Sequence, residues 1–260
     1  KNGLVESLTL PLPIKNIELT ANFNQNKARL KGSFNVADKS GQIHGDMSWE
    51  NETWHSKMNI SAETLAFKPQ EDVTINLTPD ITFEMEPGQL TLSGDIHVPK
   101  ARIYLRTLPE QAVSASSDAE LVGEGIDTNP RLNVSTQFKI SLGDDVVFEG
   151  FGLKTMLTGK MEVRQKNNGL MRASGGIRLE KGEYQAYGQQ LTISDGDLIF
   201  IDDIANPQLR LSAVRDKIED NVVVGIRVTG RAQNPEITVY SIPDMPQQEK
   251  LHYLVTGRAP

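Results

Sequence analysis

Residues 151–163 read FGLKTMLTGKMEV, and after a short polar stretch residues 171–179 read MRASGGIRL. In the first stretch Phe151, Leu153, Leu157, Met161 and Val163 share one parity, with Gly159 in the row, while Lys154, Lys160 and Glu162 share the other. In the second, Met171, Ala173, Gly175, Ile177 and Leu179 fall together. Asn167-Asn168-Gly169 lies between them and suits the positive-φ positions of a tight hairpin. Period-two alternation marks a strand with one apolar and one polar face. The stretch therefore predicts an antiparallel hairpin whose single apolar face must be buried against something.

The same pattern runs outward in both directions. Upstream, Leu132, Val134, Phe138, Ile140 and Leu142 form a row that ends at Gly143-Asp144-Asp145, read as a turn. Downstream, Glu180-Lys181-Gly182 reads as a turn toward Tyr184, then Leu191 and Ile193. Asp195-Gly196-Asp197 reads as another, before Leu198 and Phe200. Leu209 and Leu211, then Val224, Ile226 and Val228, then Ile237 and Val239 complete the series. The first part of the chain alternates likewise, with Pro79-Asp80 read as a turn between Val73, Ile75, Leu77 and Ile81, Phe83, Met85. Roughly fifteen strands result. Glycines recur inside the rows at Gly32, Gly45, Gly94, Gly159 and Gly175, as they do where sheets bend or bulge.

Two stretches break the alternation. Residues 107–130 hold Pro109, Pro130, several serines and the acids Glu110, Asp118, Glu120, Glu124 and Asp127, with no Lys or Arg, and read as a mobile acidic loop. The end reads as a helix from about Met245 to Thr256. Asp244 and Gln247 fit a capping box, Pro246 fits the first turn, Leu251, Leu254 and Val255 have helical spacing, and Gly257 suits the position after the last turn.

Composition narrows the function classes. The chain has 260 residues, 27 Lys plus Arg against 34 Asp plus Glu, a net charge of −7, two Trp and no Cys. The lack of cysteine excludes a disulfide framework, a thiolate metal site and a Cys nucleophile. The acidic balance without a basic cluster argues against nucleic acid as a partner. No phosphate loop, nucleophile elbow or dinucleotide fingerprint occurs. The pairs Asp144/Asp145, Asp195/Asp197 and Asp202/Asp203 sit beside predicted turns, where Asp serves backbone geometry. His44, His55 and His97 fall on polar faces and His252 lies far from them. The expectation is no catalytic residue, no metal and no cofactor. The chain opens and closes on sequence that reads as internal to a longer protein.

Three partners could cover so many one-sided strands: a second sheet, a bilayer, or a bound apolar ligand. A membrane barrel would show paired aromatic girdles, which seven Trp and Tyr do not form. A sandwich and a sheet curled over its own apolar face both remain open on residue pattern alone.

From about residue 96 onward the chain resembles the C-terminal region of the TamB family, part of the AsmA-like group of Gram-negative envelope proteins. The resemblance rests on Pro99-Lys100-Ala101-Arg102-Ile103, Leu108-Pro109-Glu110-Gln111-Ala112-Val113, Phe151-Gly152-Leu153-Lys154 and Leu157-Thr158-Gly159. It continues through Gly182-Glu183-Tyr184, Gly196-Asp197-Leu198-Ile199-Phe200, Pro207-Gln208-Leu209 and Val228-Thr229-Gly230. Ser241-Ile242-Pro243-Asp244-Met245 with Leu251-His252-Tyr253-Leu254 is its most specific part. Ile201-Asp202-Asp203 departs from it, where a Gly often follows the Phe200 position.

The resemblance implies an all-β fold: a long, curled antiparallel or mixed sheet forming an open half-pipe, or β-taco, with an apolar interior. It divides the chain into a half-pipe segment at 1–106, the loop at 107–130, the C-terminal half-pipe segment at 131–243 and the helix at 244–257. It implies a periplasmic conduit that shields phospholipid acyl chains between the inner and outer membranes, in a protein anchored in the inner membrane. The groove would be lined by the apolar residues named above from Leu132 to Val239, leaving out Leu142, Phe151, Met171, Ala173 and Tyr184. The partner implied is TamA, an outer-membrane barrel, met through a C-terminal segment beyond this chain. The alternative is a chaperone for outer-membrane barrel proteins or autotransporters, acting with TamA through strand edges.

Overall fold

The computed structural model describes residues 3–5, 14–36, 38–51, 53–105, 132–186, 188–215 and 222–259. The loop expected at 107–130 lies outside them. The strands are β1 (Gly3–Val5), β2 (Ile14–Asn24), β3 (Lys27–Val36), β4 (Lys39–Glu50), β5 (Thr53–Ala62), β6 (Leu65–Gln70), β7 (Val73–Glu86) and β8 (Gln89–Leu105). They continue as β9 (Asn133–Gly150), β10 (Leu153–Gln165), β11 (Arg172–Ala186), β12 (Gln189–Phe200), β13 (Gln208–Arg215), β14 (Val223–Arg231) and β15 (Asn234–Ile242), followed by α1 (Gln247–Thr256).

All fifteen strands belong to one sheet, stacked in sequence order from β1 to β15, with β6 set to the side against β7. The sheet is curled and does not close into a barrel. Each neighbouring pair is antiparallel except β8 and β9, which run parallel. At about 4.8 Å per strand the stack is roughly 60 Å long.

Curling explains burial that a single layer could not give. Val146 is 1 % exposed and Ala101 2 %. No second sheet stands over them among the described residues; they are shielded by side chains of the same face, including Val98, Ile75, Ile103 and Leu157. In a flat sheet these side chains would stand parallel and leave their tips in water. Glycine permits the bend. Gly159 and Gly175 adopt φ +134 and +119, and a Cβ on Gly175 would stand 2.5 Å from the carbonyl oxygen of Lys160. Only glycine accepts both that backbone and that approach.

Four stretches read as turns are strand interiors. Gly143-Asp144-Asp145 lies within β9, Glu180-Lys181-Gly182 within β11 and Asp195-Gly196-Asp197 within β12. Register shifts or a positive φ mark each: Val98/Lys100 opposite β9, Lys181 at φ 49, and Ile193/Asp195. Turn-type residues here serve bulges, which need the same backbone freedom. Pro79 likewise lies inside β7. Along one side, Val73–Leu77 pairs with β6 and Asp80–Met85 with β5, so Pro79 sits where the partner changes and no donor is needed. Conversely, Phe151, read as a strand residue, occupies the turn between β9 and β10 with φ 54, followed by Gly152 at φ 81. The Asn167-Asn168-Gly169 turn forms as expected, with φ 48 and 58 at the two asparagines.

The helix begins two residues later than its sequence suggests. Pro246 holds the N-cap position without a side-chain cap, and the expected capping box does not form. Asp244 instead pairs with Lys250, 2.5 Å away, which holds its carboxyl below the usual range. Gly257 takes the left-handed conformation expected after the last turn, and its N–H bonds to the Tyr253 oxygen.

Candidate functional site

The registers assemble the apolar parity of every strand into continuous rows on the inner face. One row runs Val98–Leu142–Gly159–Ile177–Leu198–Leu209–Gly230 from β8 to β14. Beside it runs Ile96–Ile140–Met161–Gly175–Phe200. Phe138 faces Val163, which faces Ala173. Toward the end of the stack, Leu211–Val228–Ile237 and Ile193–Ala213–Ile226–Val239 continue the surface. The first row spans about 29 Å, whereas one leaflet of a bilayer's hydrocarbon is about 15 Å thick.

Exposure divides the candidate lining. Val163, Ile177, Leu179, Leu191, Val224 and Ile226 are buried. Val134, Phe138, Ile140, Leu153, Leu157, Met161, Ile193, Leu198, Phe200, Leu209, Leu211, Val228 and Val239 are half-buried. Leu132 and Ile237 are largely exposed, at 49 % and 66 %, and Leu132 precedes β9 rather than belonging to it. Much of this apolar face is thus only partly covered among the described residues.

Ion-paired charge lies elsewhere. The ion pairs recorded among the described residues stand on the outer face, in turns or on α1. Asp197 sits between Arg178, 3.2 Å away, and Arg210. Asp145 sits between Arg102 at 2.5 Å and Lys100 at 3.4 Å. These acids, read from sequence as turn residues, carry cross-strand ion pairs instead. Arg210 and Arg102 respectively hold them below the usual carboxylate range. Glu162 is held at about 2 by hydrogen bonds from Arg164 first and Gln137 second. His97 meets the Ser141 hydroxyl at 2.9 Å and His55 lies 3.9 Å from Glu86, both on the polar face as expected. Among the described residues no three His, Asp or Glu gather as a metal site, and no helix is long and apolar enough to cross a membrane.

The alternation does not reveal what covers the end of the groove. Tyr253 and Leu254 of α1 are buried against Leu191, Ala213, Val224 and Ile226, with Tyr184, Ile193, Val222, Val239 and Met245 around them. The inner row there runs Leu191–Arg215 across β12 and β13, with Val224 opposite Ser241 on β14 and β15. Arg215 donates to the main-chain oxygen of Leu254. Its place was legible: Arg215 continues the parity of Leu209, Leu211 and Ala213, a charge at an inward position. Nothing in the local spacing ties it to the helix.

The TamB C-terminal domain family matches residues 26–260. This chain belongs to that family. The match begins well upstream of residue 96, so the less specific first strands share it. The translocation and assembly module subunit TamB of Haemophilus influenzae is 31 % identical over 269 residues, covering 96 % of this chain. This chain spans 21 % of that protein's length. In this sheet the apolar rows run through the segment from residue 96 onward, broken on the inner face at Arg215 and Ser241.

Proposed function

We propose that this TamB-family segment is part of a conduit that shields phospholipid acyl chains as they cross the periplasm between inner and outer membranes. The observation that carries the reading is the continuous inner row from Val98 to Leu209, partly exposed at Leu142, Leu198 and Leu209, with the recorded ion pairs kept off that face. Burial contributes about 0.8 kcal/mol per methylene, so a continuous apolar strip holds a chain without a specific contact and lets it slide. In cells, a photo-reactive residue at Leu157 should label phospholipid, whereas one at Lys160 on the outer face should not. Equal labelling at both positions would count against the conduit.

A second reading draws on the open sheet. Beyond β15 no strand pairs among the described residues, and a free edge can add a strand from another chain. That edge suits assembly of outer-membrane proteins together with a barrel partner such as TamA. A cysteine in place of Thr238 should then form a disulfide with a cysteine in a client or partner strand, and groove charges should leave that cross-link intact.

A further inference from the structure

Arg215 is anomalous within the groove. It lies opposite Leu191 at an inward position, one residue beyond the last recorded pair of β13 with β14 (Val214–Gly225), half-buried, with no carboxylate paired to it among the described residues. Its Nε is buried and lacks a hydrogen-bond partner, although Nη1 donates to Leu254. One strand beyond Val224, Ser241 is 8 % exposed and its Oγ is also buried without a partner. A guanidinium keeps its charge at any physiological pH, and unmet donors in apolar surroundings are costly. The cation and the spare hydroxyl thus stand on one inner row, among apolar side chains, with donor capacity to spare.

The group that now faces Arg215 is held weakly. Helix α1 has ten residues and no side-chain N-cap, and isolated helices of that length are marginal in water. Tyr253 and Leu254 are its buried side chains, while Leu251 and Val255 remain 45 % and 46 % exposed. Its last turn presents carbonyl oxygens, the negative end of the helix dipole, to the guanidinium. A helix C-terminus and an oxyanion ask the same thing of an arginine.

We propose that Arg215 and Ser241 form a site for the phosphodiester of a phospholipid headgroup, which the C-terminal turn of α1 occupies in this structure and vacates when lipid arrives. The inference rests on the conduit reading and adds to it a headgroup contact and a gate. With α1 displaced, acyl chains lie on Leu191, Ala213, Val224 and Ile226, and the phosphate takes the Arg215 donors. Docked helix and bound lipid exclude one another.

The test is equilibrium binding by the whole chain of fluorescent phosphatidylglycerol, of the matching uncharged diacylglycerol, and of inorganic phosphate as competitor. Arg215→Gln should weaken phosphatidylglycerol about tenfold, the worth of a charge-assisted hydrogen bond, and leave diacylglycerol unchanged. Arg215→Lys should retain most of the preference, and Ser241→Ala should lose a smaller part. Tyr253→Ala with Leu254→Ala should tighten both lipids severalfold. If both lipids bind and Arg215→Gln leaves their ratio unchanged, the headgroup site is wrong while the conduit stands. If no form binds either lipid, the conduit reading falls as well. Displacement of phosphatidylglycerol by millimolar inorganic phosphate would identify a free-anion site and overturn the lipid assignment.

Discussion

Gly159 on β10 faces Ile177 on β11, and a Cβ added to Gly159 would stand 2.2 Å from the carbonyl oxygen of Gly176. The strand bends at this point, and the backbone of its neighbour passes through the space a side chain would need. Gly159→Val should therefore destabilise the sheet by at least about 2 kcal/mol, from strained φ alone. Thermal unfolding followed by circular dichroism measures it. A change within error would mean the bend can move to another residue.

Leu157 lies half-buried beside the Val98–Ala101–Val146 cluster. Leu157→Arg should abolish lipid passage while costing a few kcal/mol of stability at most, because the long side chain can reach water through the open mouth. Lipid transfer between vesicles by the purified chain, read beside its melting temperature, separates the two effects. Loss of folding would show the site to be closed core.

The outer-face carboxylates make stability pH-dependent with a definite sign. Glu162 titrates at about 2 in the folded sheet and near 4.3 when unfolded. Its contribution is complete above roughly pH 5 and is lost as pH falls toward 2. Asp197, lowered by Arg210 and Arg178, acts in the same direction. The melting temperature should fall on acidification below pH 5, and Glu162→Gln should flatten that fall while lowering stability at pH 7. A steeper acid response in the variant would contradict the assignment.

Leu254 is 4 % exposed, and burying such a side chain is worth about 1.5–3 kcal/mol. Leu254→Ala should release α1 and leave the sheet folded. Hydrogen exchange should accelerate in residues 247–256 and stay slow in β10 and β11. Acceleration throughout would show that the helix supports the whole sheet.

Sequence reading recovered the strands, their apolar parity and the helix because each rests on local periodicity. Leu153, Leu157 and Met161 declare their face without reference to any other strand. It placed turns wrongly at Asp145, Lys181 and Asp197 because a bulge and a turn call on the same residues, and only the neighbouring strand distinguishes them. Asp197 reads as a turn acid in one strand and as a cross-strand ion pair once Arg178 and Arg210 stand on either side. The cover over Val224 and Ile226 was illegible for the same reason: Tyr253 and Leu254 reach them through a docking angle that helical spacing does not encode.

The parallel pairing of β8 with β9 carries a consequence for assembly. The other strand pairs are hairpins or near-hairpins, whose ends meet over short stretches of chain and zip quickly. Joining β8 to β9 alone requires closing a long connection before any bond forms, which is entropically slow. The ladder from β2 to β8 and the ladder from β9 to β15 should thus each form first, with their union as the rate-limiting event. Late in folding the chain would be two half-gutters with raw margins, and the seam between β8 and β9 is where a chaperone, or a misfolded neighbour, would find it open.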